Sequence, residues 1–275
     1  MSLRRSTMNE NDRAATGPRR SLAPYGGPIF RRGAGRAIST IRPGVPLEDA
    51  LMQGIIDQFH QDGFALVKGV LDLSEIAALR TAIDDIFADP AAMERHRHGF
   101  PFVAARLWTG PEIFGAMAQR EPIYSLVAAI LGPGHEIVGM NAIRNGPGVA
   151  ISRWHVDDVL EFPLPESVPR HDPRIQMPVL WLSVQIALSD IEELEYGPGQ
   201  FVPGSHYAGH HPPEGDNPVF EGREPVSVLC RAGDLYLQNH QCWHRGAPNE
   251  SNRTRYILQQ QYGSRWAVRR FTGIA

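Results

Sequence analysis

From residue 136 onward the chain breaks into short strand-like runs: 137–143, 149–155, 179–188, 200–202, 225–229, 235–238 and 255–262. Turn-forming residues separate them, and no helical period replaces them. Repeated short strands with turns between them are how an antiparallel jelly roll is written in sequence. Among 275 residues, 27 glycines and 23 prolines suit that loop-rich β architecture better than a helical one.

The first half supplies helices. Pro46 suits the first turn of one, with Leu47, Leu51, Ile55 and Phe59 at four-residue intervals and Gly63 ending it. Phe64 to Val70 reads as a strand. Ser74 is expected to cap a second helix whose stripe is Ile76, Leu79, Ile83 and Phe87. A third helix is expected from Pro122, presenting Ile123, Leu126, Val127 and Ile130, to Gly132. All three are expected to pack on the outside of the barrel. Residues 46–275 are thus expected to form one domain, a size that can bury a full core. Residues 1–45 hold nine arginines against Glu10 and Asp12 and have little to bury. They are read as a basic, flexible arm, with a basic interaction tail as the alternative.

A net charge of −3 gives no ground for a nucleic-acid or acidic-membrane partner. Cys230 and Cys242 are too few for a secreted disulfide scaffold and are expected to be reduced and buried. No apolar run reaches membrane-spanning length, and no hydrophobic segment follows the N-terminal arginines. A cytoplasmic location is the resulting expectation.

The chemistry starts at Arg153-Trp154-His155-Val156-Asp157-Asp158. On an extended strand His155 and Asp157 point to the same side. Alone, the pair is better explained by a surface histidine beside a capping aspartate. A second histidine, His244, follows in Cys242-Trp243-His244-Arg245-Gly246. Two imidazoles and one carboxylate leave open positions on an octahedral metal, the ligand set of non-heme Fe(II) oxygenases. Arg255 comes eleven residues after His244 and opens a strand-like run. Its guanidinium can grip a carboxylate with two parallel hydrogen bonds, which suits 2-oxoglutarate.

His155-X-Asp157, Pro203-Gly204-Ser205-His206, Gly233-Asp234-Leu235 and the run from His244 through Pro248-Asn249 to Arg255 occur in that order. With the opening run Asp62 to Leu71, this pattern resembles the phytanoyl-CoA dioxygenase family over roughly residues 50 to 265. The resemblance implies a mainly β fold with flanking helices, a double-stranded β-helix or cupin-like jelly roll. It implies Fe(II) held by His155, Asp157 and His244, with 2-oxoglutarate gripped by Arg255. It implies an enzyme that uses O2 to oxidise a C–H bond of a small molecule while 2-oxoglutarate becomes succinate and CO2. Hydroxylation, desaturation and rearrangement are all outcomes of that chemistry. Two features depart from the family pattern: a Pro-rich insertion at 159–178, and Tyr196-Gly197 where the family has Asn-Gly.

Other residues compete for these roles. His240 rivals His244 and is read as a supporting residue. Asp158 would face away from His155 on a strand, and Arg253 falls in a polar turn. Asn141 is a candidate donor to the 2-oxoglutarate carboxylate near iron. His206 is read as a turn residue, His210-His211 as solvated loop, and Trp154, Trp181 and Trp243 as core. Intact Asp157 argues against a halogenase. A zinc-dependent hydrolase and a non-catalytic cupin-like binding module are the alternatives, separable by metal identity and by 2-oxoglutarate turnover. The expected substrate is a specialised metabolite, because arginines such as Arg153, Arg170 and Arg174 suit an anionic small molecule and no lysine-rich patch suits CoA.

Overall fold

The computed structural model describes residues 29–30, 41–157 and 159–271. In chain order its strands and helices are β1 (Ile29–Phe30), α1 (Asp49–Asp62), β2 (Phe64–Val67), α2 (Leu73–Ala88), α3 (Pro90–Arg95), β3 (Val103–Ala104), α4 (Glu112–Met117), α5 (Ile123–Leu131), β4 (Glu136–Asn145), β5 (Trp181–Ala187), β6 (Gly199–Phe201), β7 (Val226–Val228), β8 (Leu235–Asn239), β9 (His244–Gly246), β10 (Arg255–Gly263) and α6 (Arg265–Phe271). They form a six-stranded sheet, β2-β8-β5-β10-β4-β3, and a four-stranded sheet, β1-β7-β6-β9.

Alternation along the strands divides the large sheet into two faces. The register aligns Leu66 with Tyr236, Tyr236 with Gln185, Gln185 with Gln259 and Gln259 with Asn141. The same face carries Phe64, Gln238, Ser183, Ala187, Ile257, Arg255 and Asn145. Phe64, Leu66, Ala187, Tyr236 and Ile257 pack against Phe201 and Val228 of the small sheet. Phe64 and Phe201 stack with ring centroids 4.7 Å apart. This face is therefore the interior of the sandwich. The opposite face presents Ala65, Val67, Leu182, Val184, Ile186, Leu235, Leu237, Tyr256 and Leu258 to α1, α2 and α5, making the larger core. The helices lie outside the sandwich, as expected.

Local differences from the sequence expectation have physical causes. Helix α1 starts at Asp49, three residues beyond Pro46, and ends at Gly63. A Cβ on Gly63 (φ +86°) would sit 2.6 Å from His206 Nδ1 and 2.8 Å from Cys242 Sγ, so glycine is required there twice over. Asp72, not Ser74, caps α2: its carboxylate accepts from the Ser74 and Glu75 amides, and Glu75 reaches back to the Asp72 amide. Strand β2 stops at Val67, and the Val70 and Leu71 amides turn instead to Gly233 O. Residues 149–155 are not a strand. The Gly148 amide donates to Asn249 O, the Gly246 amide to Ile151 O, and only His155 pairs in register, with His244. That slippage breaks the ladder that a continuous strand needs. Ile29 and Phe30 pair in parallel with Ser227 and Val228. The remainder of the arm up to residue 40 lies outside the described residues. Among the described residues, no helix is long and apolar enough to cross a membrane.

Candidate active site

The backbone brings the first pair of side chains together. The His155 amide donates to His244 O and the His244 amide to His155 O, each at 3.0 Å, and the two rings lie 4.2 Å apart. The Asp157 amide donates to His240 O at 2.9 Å, turning its carboxylate toward both imidazoles. Asp157 Oδ1 then stands 3.7 Å from His155 Nε2 and 3.6 Å from His244 Nε2. One donor atom from each of the three residues lies within 4.8 Å of the others.

The protonation pattern suits a metal. His155 Nδ1 lies 2.8 Å from Arg153 O, and His244 Nδ1 lies 2.8 Å from Cys242 O. A carbonyl only accepts, so each Nδ1 carries the proton and each Nε2 keeps its lone pair toward the cluster. Burial, reinforced by His244, lowers the His155 imidazole to about 4, leaving it neutral at pH 7. Burial alone would raise the Asp157 carboxyl, but His244, His240 and His155 together hold it below the usual carboxylate range. His155 retains a third of its side-chain exposure (33%), so the cluster opens to solvent on that side.

Arg255 is buried at the start of β10, facing the interior. Its Nη2 donates to Asn145 Oδ1 at 2.8 Å, while Nε is sealed from solvent with no partner. Burial depresses its pKa, and its ionisable neighbours are Tyr236 and Cys230 rather than a carboxylate. A buried cation with no carboxylate beside it is costly, and a bound anion would offset that cost. Gly246, two residues past His244, lies against this side chain: a Cβ there would be 3.7 Å from Arg255 Nη2, an ordinary contact. These observations fit a dicarboxylate such as 2-oxoglutarate, whose far carboxylate would meet the unmatched Nε.

The rival residues fall elsewhere. His240 is buried, with Nε2 3.0 Å from Ser183 Oγ and 3.8 Å from Asp157 Oδ2, outside the three-donor cluster. Arg253 is exposed over the Tyr196 ring. Asp158 lies outside the described residues. His206 sits in a turn, its Nε2 donating to His60 O. His210 Nε2 lies 2.9 Å from Val168 O. Trp154 and Trp243 belong to a small buried cluster with Val156, Val202, Ala208 and Phe220. Asn141 shares the interior face, where its Nδ2 donates to Gln259 Oε1 at 2.8 Å. Sequence reasoning missed Asn145, the Arg255 partner, and Gln238, whose amide touches both Asp157 and His244. Neither has a local signal, because their roles arise from pairing with distant strands. The 159–178 insertion is tied down by Gln241, which accepts from the Glu161 amide and donates to Val159 O. His171 adds a further anchor through its amide to Tyr207 O.

The profile of the phytanoyl-CoA dioxygenase (PhyH) family matches residues 59–257. The chain belongs to this family. It is accordingly a non-heme iron, 2-oxoglutarate-dependent oxygenase. Solved structures agree on the fold. The epimerase SnoN, in complex with Fe3+, α-ketoglutarate and nogalamycin RO, is 20% identical with a TM-score of 0.60 over 79% of this chain and 85% of its own. HygX from Streptomyces hygroscopicus, with nickel and 2-oxoglutarate bound, is 19% identical with a TM-score of 0.61, covering 81% and 89%. The carbocyclase SnoK from nogalamycin biosynthesis is 20% identical with a TM-score of 0.60, covering 80% and 87%. Within this family the zinc-hydrolase and binding-module alternatives lose their ground.

Proposed function

We propose that His155, Asp157 and His244 hold the iron, that Arg255 grips the far carboxylate of 2-oxoglutarate, and that the substrate is a specialised metabolite. The observation that carries this reading is the juxtaposition of three metal-ready donors with a buried guanidinium that lacks an anion. Bound iron supplies O2 activation, one oxygen atom going to succinate and the other to the substrate in a hydroxylation. The chain's own residues do the positioning. The carbonyls of Arg153 and Cys242 fix both imidazole tautomers, and Asn145 orients Arg255. Asn141 lies on the same face and is proposed as a further donor toward the co-substrate. Residues 46–275 are proposed to act as one catalytic unit.

The substrate class is supported by SnoN, in complex with nogalamycin RO, and by HygX, crystallised with hygromycin B. In this chain the 159–178 insertion is fastened beside the cluster by Gln241, so its residues are proposed to shape the substrate mouth. Anaerobic titration with Fe(II) and 2-oxoglutarate tests the site. A weak visible charge-transfer band, lost in His244→Ala, is the expected result. A folded, metal-bound protein without the band would overturn the assignment.

A further inference from the structure

Gln238, on β8 and only 2% exposed, spends both hydrogens of one amide nitrogen on the donor cluster. That nitrogen lies 2.9 Å from Asp157 Oδ2 and 2.9 Å from His244 Nε2; iron would take the Nε2 lone pair and end the second bond, leaving the one to Asp157. Gln185 Nε2 donates to the Gln238 carbonyl oxygen at 3.3 Å, which holds the amide in this orientation. The two oxygens of Asp157 are thereby unlike: Oδ2 is taken by Gln238, whereas Oδ1 faces both histidine Nε2 atoms.

Resting on the ligand assignment proposed above, we infer that Gln238 is the positioning residue that keeps Asp157 a one-oxygen ligand. A carboxylate free to turn can ligate through both oxygens. Three ligating atoms leave three octahedral positions, two for a chelating keto acid and one for a diatomic gas. A second oxygen from Asp157 would take the third. Gln238 therefore sets the number of open positions, and it does so by hydrogen bonding to a ligand rather than to the metal.

Nitric oxide, read by electron paramagnetic resonance on the Fe(II)-loaded protein under anaerobic conditions, counts those positions without turnover. The informative variant is Gln238→Met, which keeps the volume and removes the donor. Its affinity for NO in the presence of 2-oxoglutarate is expected to fall about tenfold or more. Without 2-oxoglutarate, where spare positions remain, NO binding should stay near wild type. Gln185→Leu, which only releases the Gln238 amide, should shift the first value in the same direction by about threefold. Equal NO affinity in wild type and Gln238→Met with 2-oxoglutarate present would overturn the inference. So would a folded Gln238→Met that no longer holds iron, since that would make Gln238 a determinant of occupancy. Failure of the wild type itself to bind Fe(II) would count against the ligand assignment instead.

Discussion

Arg255 holds a permanent charge inside the sandwich with one hydrogen bond and an unmatched Nε. Its presence costs stability in the absence of an anion. Arg255→Met is expected to stabilise the ligand-free protein by about 1–3 kcal/mol in urea unfolding. The same change should raise the KM for 2-oxoglutarate about a hundredfold, the worth of a lost charge-assisted pair. Unchanged 2-oxoglutarate kinetics would sink the clamp assignment. His206 shows a second residue-level effect. Burial lowers its imidazole to about 4, against an ordinary value near 6.5, and its Nδ1 has no partner. Between those values the unfolded chain takes up a proton that the native state refuses. This group therefore subtracts stability as pH falls from about 6.5 to about 4, by up to about 3 kcal/mol, and subtracts nothing more below that. Unfolding free energies at pH 7 and 4.5 should diverge less in His206→Gln than in wild type.

At the scale of elements, helix α2 owes its start to the reciprocal bonds of Asp72 and Glu75. Asp72→Ala should cost about 1 kcal/mol in thermal unfolding and leave turnover unchanged, whereas Ser74→Ala, which removes one hydroxyl donor to Asp72, should cost less. The apolar stripes of α1, α2 and α5 were legible because a helix records its buried face at local spacing. So were His155, Asp157 and His244 as candidate donors, which the structure brings within 4.8 Å of one another, because few side chains can do that chemistry. The segment 149–155 misled for the opposite reason: its apolar content resembles a strand, but the partners of Ile151, His155 and Asp157 are offset along residues 240–246. Gln238 and Asn145 were silent for a related reason. Cross-strand register aligns Gln238 with Ser183 and Asn145 with Arg255, and no local pattern encodes register.

For the whole molecule, Phe201 joins the two sheets to the site. It stacks on Phe64, meets Tyr236 edge-on and lies 5.8 Å from the His244 ring. Phe201→Ala is expected to cost about 3–5 kcal/mol. Saturating Fe(II) and 2-oxoglutarate should return about 2.7 kcal/mol at a hundred times the dissociation constant, seen as a rise in Tm. A ligand-independent Tm would mean that neither ligand binds the folded protein. Strand β10 carries this coupling in a different way. Its alternate residues serve two compartments: Arg255, Ile257 and Gln259 face the chamber, while Tyr256 and Leu258 hold the helices, with the Tyr256 hydroxyl on Asp84 of α2. Exchanging one side chain on this strand leaves the other compartment untouched. Deleting one residue would swap the two sets, sending the guanidinium among the helices and the phenol into the chamber. Over evolutionary time such a strand can be rewritten letter by letter but cannot change its frame.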